Sequence, residues 1–95
     1  MLIHPTITFA RLKDMYGTCK CIRVLVDGEQ AGDARMILIR GKGLVWFCGA
    51  DAYGPTETEM LHDLSISNEE MWARVEAELE RLVRVALTIK HARAA

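Results

Sequence analysis

Two continuous apolar runs, Met36-Ile37-Leu38-Ile39 and Leu44-Val45-Trp46-Phe47, flank the turn Gly41-Lys42-Gly43 in a chain with a single helical segment. A strand with one wet face alternates apolar and polar residues, so runs of this kind predict β-structure covered on both faces. One helix covers one face of a sheet. The second cover must come from another layer, a curled sheet, a ligand or a second copy of the chain.

Ninety-five residues make one core, because chains this short bury too little surface to divide into two. With 51% hydrophobic and 26% charged residues the composition suits a folded globular domain and excludes disordered and collagen-like chains. No apolar run approaches the ~20 residues of a membrane span. Met1 to Pro5 carry no basic start followed by an apolar stretch, and no lipidation signal is present. A soluble protein is expected. Three cysteines form an odd set, which suits reduced thiols in a cytoplasm better than a disulfide framework.

The net charge of -1 hides a segregation. Residues 1–50 carry seven Lys/Arg against four Asp/Glu, residues 51–80 carry nine acids against Arg74 alone, and residues 81–95 carry four bases and no acid. The excess in the first half is weak beside the clustered basic stripe of a nucleic-acid binder.

Residues 6–12, rich in β-branched and aromatic side chains, predict a first strand closed by the polar turn before Gly17. Residues 19–26 predict a second, with Cys19, Cys21, Arg23 and Leu25 on one face and Ile22, Val24 and Val26 on the other. A loop from Asp27-Gly28 through Gly32 leads to a third strand over 34–40, and Gly41-Lys42-Gly43 turns it into a fourth over 44–48. Residues 56–64 are a candidate fifth strand, its acidic side (Glu57, Glu59, Asp63) facing water. Ser67 with Glu70 three residues on is a capping box, and the helix is expected over 67–92. Acids crowd its first half and Arg81, Arg84, Lys90 and Arg93 its second, matching the macrodipole. The expected fold is a single α+β domain over 1–95, an antiparallel meander of four to five strands (6–64) packed on one long C-terminal helix. This order of elements resembles the dimeric whirly-type single-strand-binding domains, a likeness of topology alone that implies a sheet surface for single-stranded nucleic acid and carries over no residues.

Trp72, Val75, Leu79, Leu82, Ala86 and Ile89 form a helical seam at alternating spacings of three and four. Val83, Val85 and Leu87 widen it in the second half. That half therefore needs two covers, the sheet and either a curve of the same sheet or the helix of a second subunit; Leu82, Val83, Val85, Ala86 and Leu87 are the expected homodimer interface.

Chemistry-bearing motifs are sparse. Cys19-Lys20-Cys21 on a strand would aim both sulfurs at one face, where Cys48 or His62 could complete a zinc site, but the spacing is not that of zinc modules; no metal and no cofactor is expected. His4, His62 and His91 sit in no nucleophile or phosphate motif, and Gly41-Lys42-Gly43 lacks the frame of a phosphate loop. The break Gly49-Ala50-Asp51-Ala52-Tyr53-Gly54-Pro55 displays a carboxylate and a phenol where binding residues often lie. With His62, Asp51 and Tyr53 are the candidate binding residues, and an acid/base pair in a small enzyme is one use of them. Arg23, Arg35, Arg40 and Lys42, with Phe47 to stack a base, are the candidates for single-stranded nucleic acid. The sequence reads first as a non-catalytic binding or adaptor protein acting as a homodimer, with a protein or small-molecule partner it does not identify and no membrane.

Overall fold

The computed structural model describes residues 4–94, the side chains of the last helical residues from 93 on excepted. Five strands, β1 (Ile7–Lys13), β2 (Cys19–Val26), β3 (Glu29–Ile39), β4 (Gly43–Gly49) and β5 (Glu57–Leu61), form one antiparallel sheet in chain order. A short 3-10 turn, Asp51–Tyr53, joins β4 to β5, and α1 (Asn68–Ala94) closes the chain. The expected α+β meander with one C-terminal helix is the fold, and residues 57–61 supply the fifth strand.

The second turn is tighter than expected. Asp27 and Gly28 both have positive φ (51° and 85°), so a two-residue turn whose twist matches the strands returns the chain at once, and β3 begins at Glu29 rather than Ala34. Gly32 therefore sits inside a strand, not in a loop. The register slips between Val24 and Leu25, leaving Ala31 unpaired and turned into the core at 2% exposure. Gly32 lies where a Cβ would stand 2.0 Å from the Gly49 carbonyl oxygen, so only glycine lets β3 pass that backbone.

A second bulge overturns the expected pairing of Cys19 with Cys21. Leu12 opposes Cys21 and Lys13 opposes Cys19, so Lys20 is the extra residue and the alternation breaks between the two sulfurs. Cys19 joins Ile22 and Val24 in the core, while Cys21 stays half-buried on the opposite face, where Leu12 and Arg35 oppose it across the strands. The Cys19 thiol turns back on the Cys21 carbonyl, 3.5 Å away.

The core lies between one sheet face and α1. Ile22, Val24, Trp46 and Cys48 meet Met71, Val75, Leu79 and Val83, all 0–1% exposed. Ser67 Oγ accepts from the Glu70 amide at 3.2 Å, which fixes the helix start at the expected cap. At the β1 edge, where the core thins, Arg11 donates two 2.8 Å hydrogen bonds to Glu76 and one of 2.6 Å to Glu69, and its guanidinium lies 5.4 Å from the Trp72 ring centroid. Those hydrogen bonds, to Glu76 first and Glu69 second, push the Arg11 pKa above its ordinary value.

The helix-centred dimer interface fails on burial. Leu82, Val83 and Ala86 are 0–3% exposed inside their own chain and have no surface left for a partner. Leu87 is half-buried against the same core, which leaves Val85, with Ile89, exposed. Val83 joins the seam on the sheet side, so the sheet of the same chain buries it together with Leu82 and Ala86.

Candidate functional site

The strands have two distinct ends. One gathers the turn 14–17, the β3–β4 turn, the loop 62–67 and the start of α1; the other gathers residues 4–6, the turn Asp27-Gly28, the 3-10 turn and the last helical turns. The expected site residues divide between them. Asp51 and Tyr53 follow β4 at the second end, whereas the His62 amide donates to Leu44 at the first. Seven residues of β4 separate the two, roughly 20 Å at ~3.3 Å per residue. No acid/base pair of His62 with Asp51 or Tyr53 can form.

His62 has a different role. It is 9% exposed, its Nδ1 accepts from Trp46 Nε1 at 2.9 Å, and the two rings stack with centroids 6.3 Å apart. A buried indole N–H needs a partner, and the imidazole is that partner. Tyr53 also packs on the core, with Lys90 Nζ 5.4 Å from its ring centroid, so its ring is partly folded down rather than displayed.

The sheet face away from the helix is uncovered. A shallow cavity of about 560 Å³ lies on it, with Phe47 and Ile37 among its lining and Asp33, Asp51, Glu57 and Glu59 against Arg35 around them. Arg35 is 3.4 Å from Asp33, and Lys42 is 3.5 Å from Glu59. Arg23 is on the same face beside Asp33, its Nε buried without a hydrogen-bond partner among the described residues. Arg40 lies apart, next to the β3–β4 turn, exposed. Arg23, Arg35 and Lys42 thus stand beside carboxylates that repel a phosphodiester backbone, Arg40 apart from them, and among the described residues they form no continuous basic groove beside Phe47.

The three thiols, unpaired, sit apart: Cys19 and Cys48 buried on the helix side, Cys21 half-buried on the other. Burial, with the Glu78 carboxylate second, pushes the Cys48 thiol up to about 12. Burial likewise raises Cys19 and Cys21. Among the described residues no three His, Cys, Asp or Glu side chains gather as a metal set.

What the sequence did not reveal is the distribution of exposed apolar side chains. Nine large ones are exposed among the described residues, and seven share the first end: Leu12, Met15, Tyr16, Ile37, Leu38, Leu61 and Leu64. Leu64, Leu38, Met15 and Tyr16 are each more than 70% exposed. Ile37 and Leu61 flank the buried Val45 on the face away from the helix, Leu38 opposes Leu44 on the other face, and Leu12, Met15, Tyr16 and Leu64 lie at or just beyond the ends of β1 and β5. No helix is long and apolar enough to cross a membrane. Comparison of the chain with protein-family models, with curated proteins and with solved structures finds no match in any of the three.

Proposed function

We propose that the protein is a non-catalytic binding module that works as a homodimer, pairing through the apolar end of its sheet. The observation that carries this is the concentration there of seven of the nine exposed large apolar side chains. At roughly 200 Å² for a fully exposed large side chain they present on the order of 900 Å². Summed over both sheet faces and the flanking turns at this end, that is comparable with the ~800 Å² per partner of a standard interface. Charges of both signs surround it, Lys13, Lys20, Arg40 and Lys42 with Asp14, Glu59 and Asp63. A two-fold pairing uses the same patch twice, so such a rim lets each base meet an acid of the second copy. A uniformly basic rim would have favoured a membrane surface instead. Three unpaired thiols suit the reducing cytoplasm.

Sedimentation at micromolar concentration tests the reading. The expected particle has twice the 10.7 kDa of one chain. Leu38→Glu combined with Leu64→Glu should halve it without loss of helical circular dichroism, because both side chains are exposed in the single chain. Val85→Glu should leave the dimer intact. A 10.7 kDa particle for the unaltered protein at every concentration defeats the proposal, and dissociation by Val85→Glu alone returns the interface to the helix.

A further inference from the structure

A groove of about 430 Å³ opens at the opposite end of the molecule, between the last helical turns, the Asp27-Gly28 turn and the 3-10 turn. Its size is that of a small-ligand site. Lys90, Arg84, His91 and His4 line it together with the Tyr53 phenol, and Asp27 is its one carboxylate among the described residues. Asp27 Oδ1 accepts from the Thr6 amide at 3.0 Å, which ties the carboxylate to the turn. Arg84 is shared with Glu80 at 3.0 Å, while the ammonium of Lys90 lies over the Tyr53 ring, 5.4 Å from its centroid. Below these polar groups Val26, Pro5 and Leu87 form an apolar wall.

Bases in a last helical turn are expected from the macrodipole alone. The dipole does not account for a concavity that four elements build, nor for an apolar wall under the bases, nor for a phenol drawn in from the β4–β5 connection. Bases are mostly matched by acids, as Arg11, Lys20, Arg35, Lys42, Arg74, Arg81 and the groove's own Arg84 each lie within ion-pair distance of a carboxylate. Here Lys90, which has no carboxylate within ion-pair distance among the described residues, converges with the hydrogen-bonding groups of Tyr53, His4 and His91.

We infer that this groove binds a small amphipathic oxyanion, a phosphate or carboxylate carried on an apolar or aromatic body. The ammonium of Lys90 and the imidazoles of His4 and His91 face the oxyanion, the Tyr53 hydroxyl donates to it, and the body lies on Val26, Pro5 and Leu87. The site is at the far end of the sheet from the proposed dimer surface and does not depend on it.

Titration of the full chain with phenyl phosphate, followed by amide and imidazole NMR shifts, tests the assignment. The expected shifts cluster at His4, Asp27, Tyr53, Lys90 and His91. Inorganic phosphate should bind at least 10-fold more weakly, benzoate should compete for the same residues, and benzylamine, with the same ring and the opposite charge, should not bind. Lys90→Gln should weaken phenyl phosphate at least 10-fold, whereas Arg81→Gln, an exposed base outside the groove, should not. Equal affinity for inorganic and phenyl phosphate would show general charge attraction only. That result, an unchanged Lys90→Gln, or shifts spread over all surface bases overturns the proposal. Sedimentation of the same samples reports the dimer separately, so the two readings fail independently.

Discussion

Cys48 lies under α1 at 1% exposure, opposite Ala34 and Thr58 on the neighbouring strands, and burial has moved its thiol from the ordinary 9.0 to about 12. The consequence is a stability that depends on alkaline pH. Between those two values the unfolded chain gives up the proton and the folded chain keeps it, so the unfolded state binds fewer protons and stability falls as pH rises. The contribution is complete below pH 9 and is lost toward pH 12, at up to ~1.4 kcal/mol per pH unit for one thiol. Denaturation of the wild type and Cys48→Ala at pH 8 and pH 10, each compared with itself, should show the wild type losing ~1.4 kcal/mol more. Parallel losses would mean that the thiol ionises in the folded state. Residue identity alone did not reveal such roles. Nothing local marks His62 as the partner of Trp46, because they are 16 positions apart and meet only when β5 pairs with β4. A histidine near acidic and phenolic residues reads the same in sequence whether it serves a site or a buried indole. Tyr53 is legible in part: the loop holding it does contribute to both concavities, Asp51 to the one on the open face and Tyr53 to the groove at the helix end.

At the level of elements the periodic signals were the readable ones. The capping Ser67 and the 3- and 4-residue spacing from Trp72 to Ala86 depend on neighbours within a turn or two, and they located α1 and most of its buried face. The two bulges were hidden, because a bulge is a property of a pair of strands. Lys20 and Ala31 are unremarkable in their own segments and are displaced only by the register of Leu12–Lys13 and Val24–Leu25. That is why strict alternation put Cys19 on the wrong face and why Gly32 passed for a loop residue. The glycine gives the element-scale prediction. A methyl group at position 32 would stand 2.0 Å from the Gly49 carbonyl oxygen, which is backbone and cannot swing aside. Gly32→Ala should therefore part β3 from the β4 end and cost ~3 kcal/mol in chemical denaturation, the upper range for an overpacked core. At Gly49 the nearest atom is the Asp51 Oδ1 at 3.0 Å, a side chain free to move, and Gly49→Ala should cost under ~1 kcal/mol. Equal costs at the two positions would mean that the close passage of β3 at this point is not part of the native fold.

The whole molecule is an uneven object, 44 Å in its longest dimension, with most of its exposed large apolar side chains at one end and the groove lined by Lys90 at the other. Two-sided apolar runs in the sequence implied a second cover: the helix and one sheet face satisfy each other, while Ile37 and Leu38 of β3 and Leu61 of β5 are left exposed. Their location was not legible, since which part of a run the helix reaches depends on where α1 starts relative to the β3–β4 turn. If a second copy covers this end, folding and association are one equilibrium, and the melting temperature must depend on protein concentration. A 100-fold dilution weakens a dimer by ~2.7 kcal/mol, or ~1.4 kcal/mol per chain. For a domain of 95 residues that corresponds to a fall of roughly 5–10 °C in Tm. Calorimetry at 200 μM and fluorescence of the two tryptophans at 2 μM cover that span. The Leu38→Glu, Leu64→Glu variant should melt at one temperature across it, because its folding no longer involves a partner. A wild-type Tm that stays fixed over the same range would mean that the apolar end remains uncovered in solution.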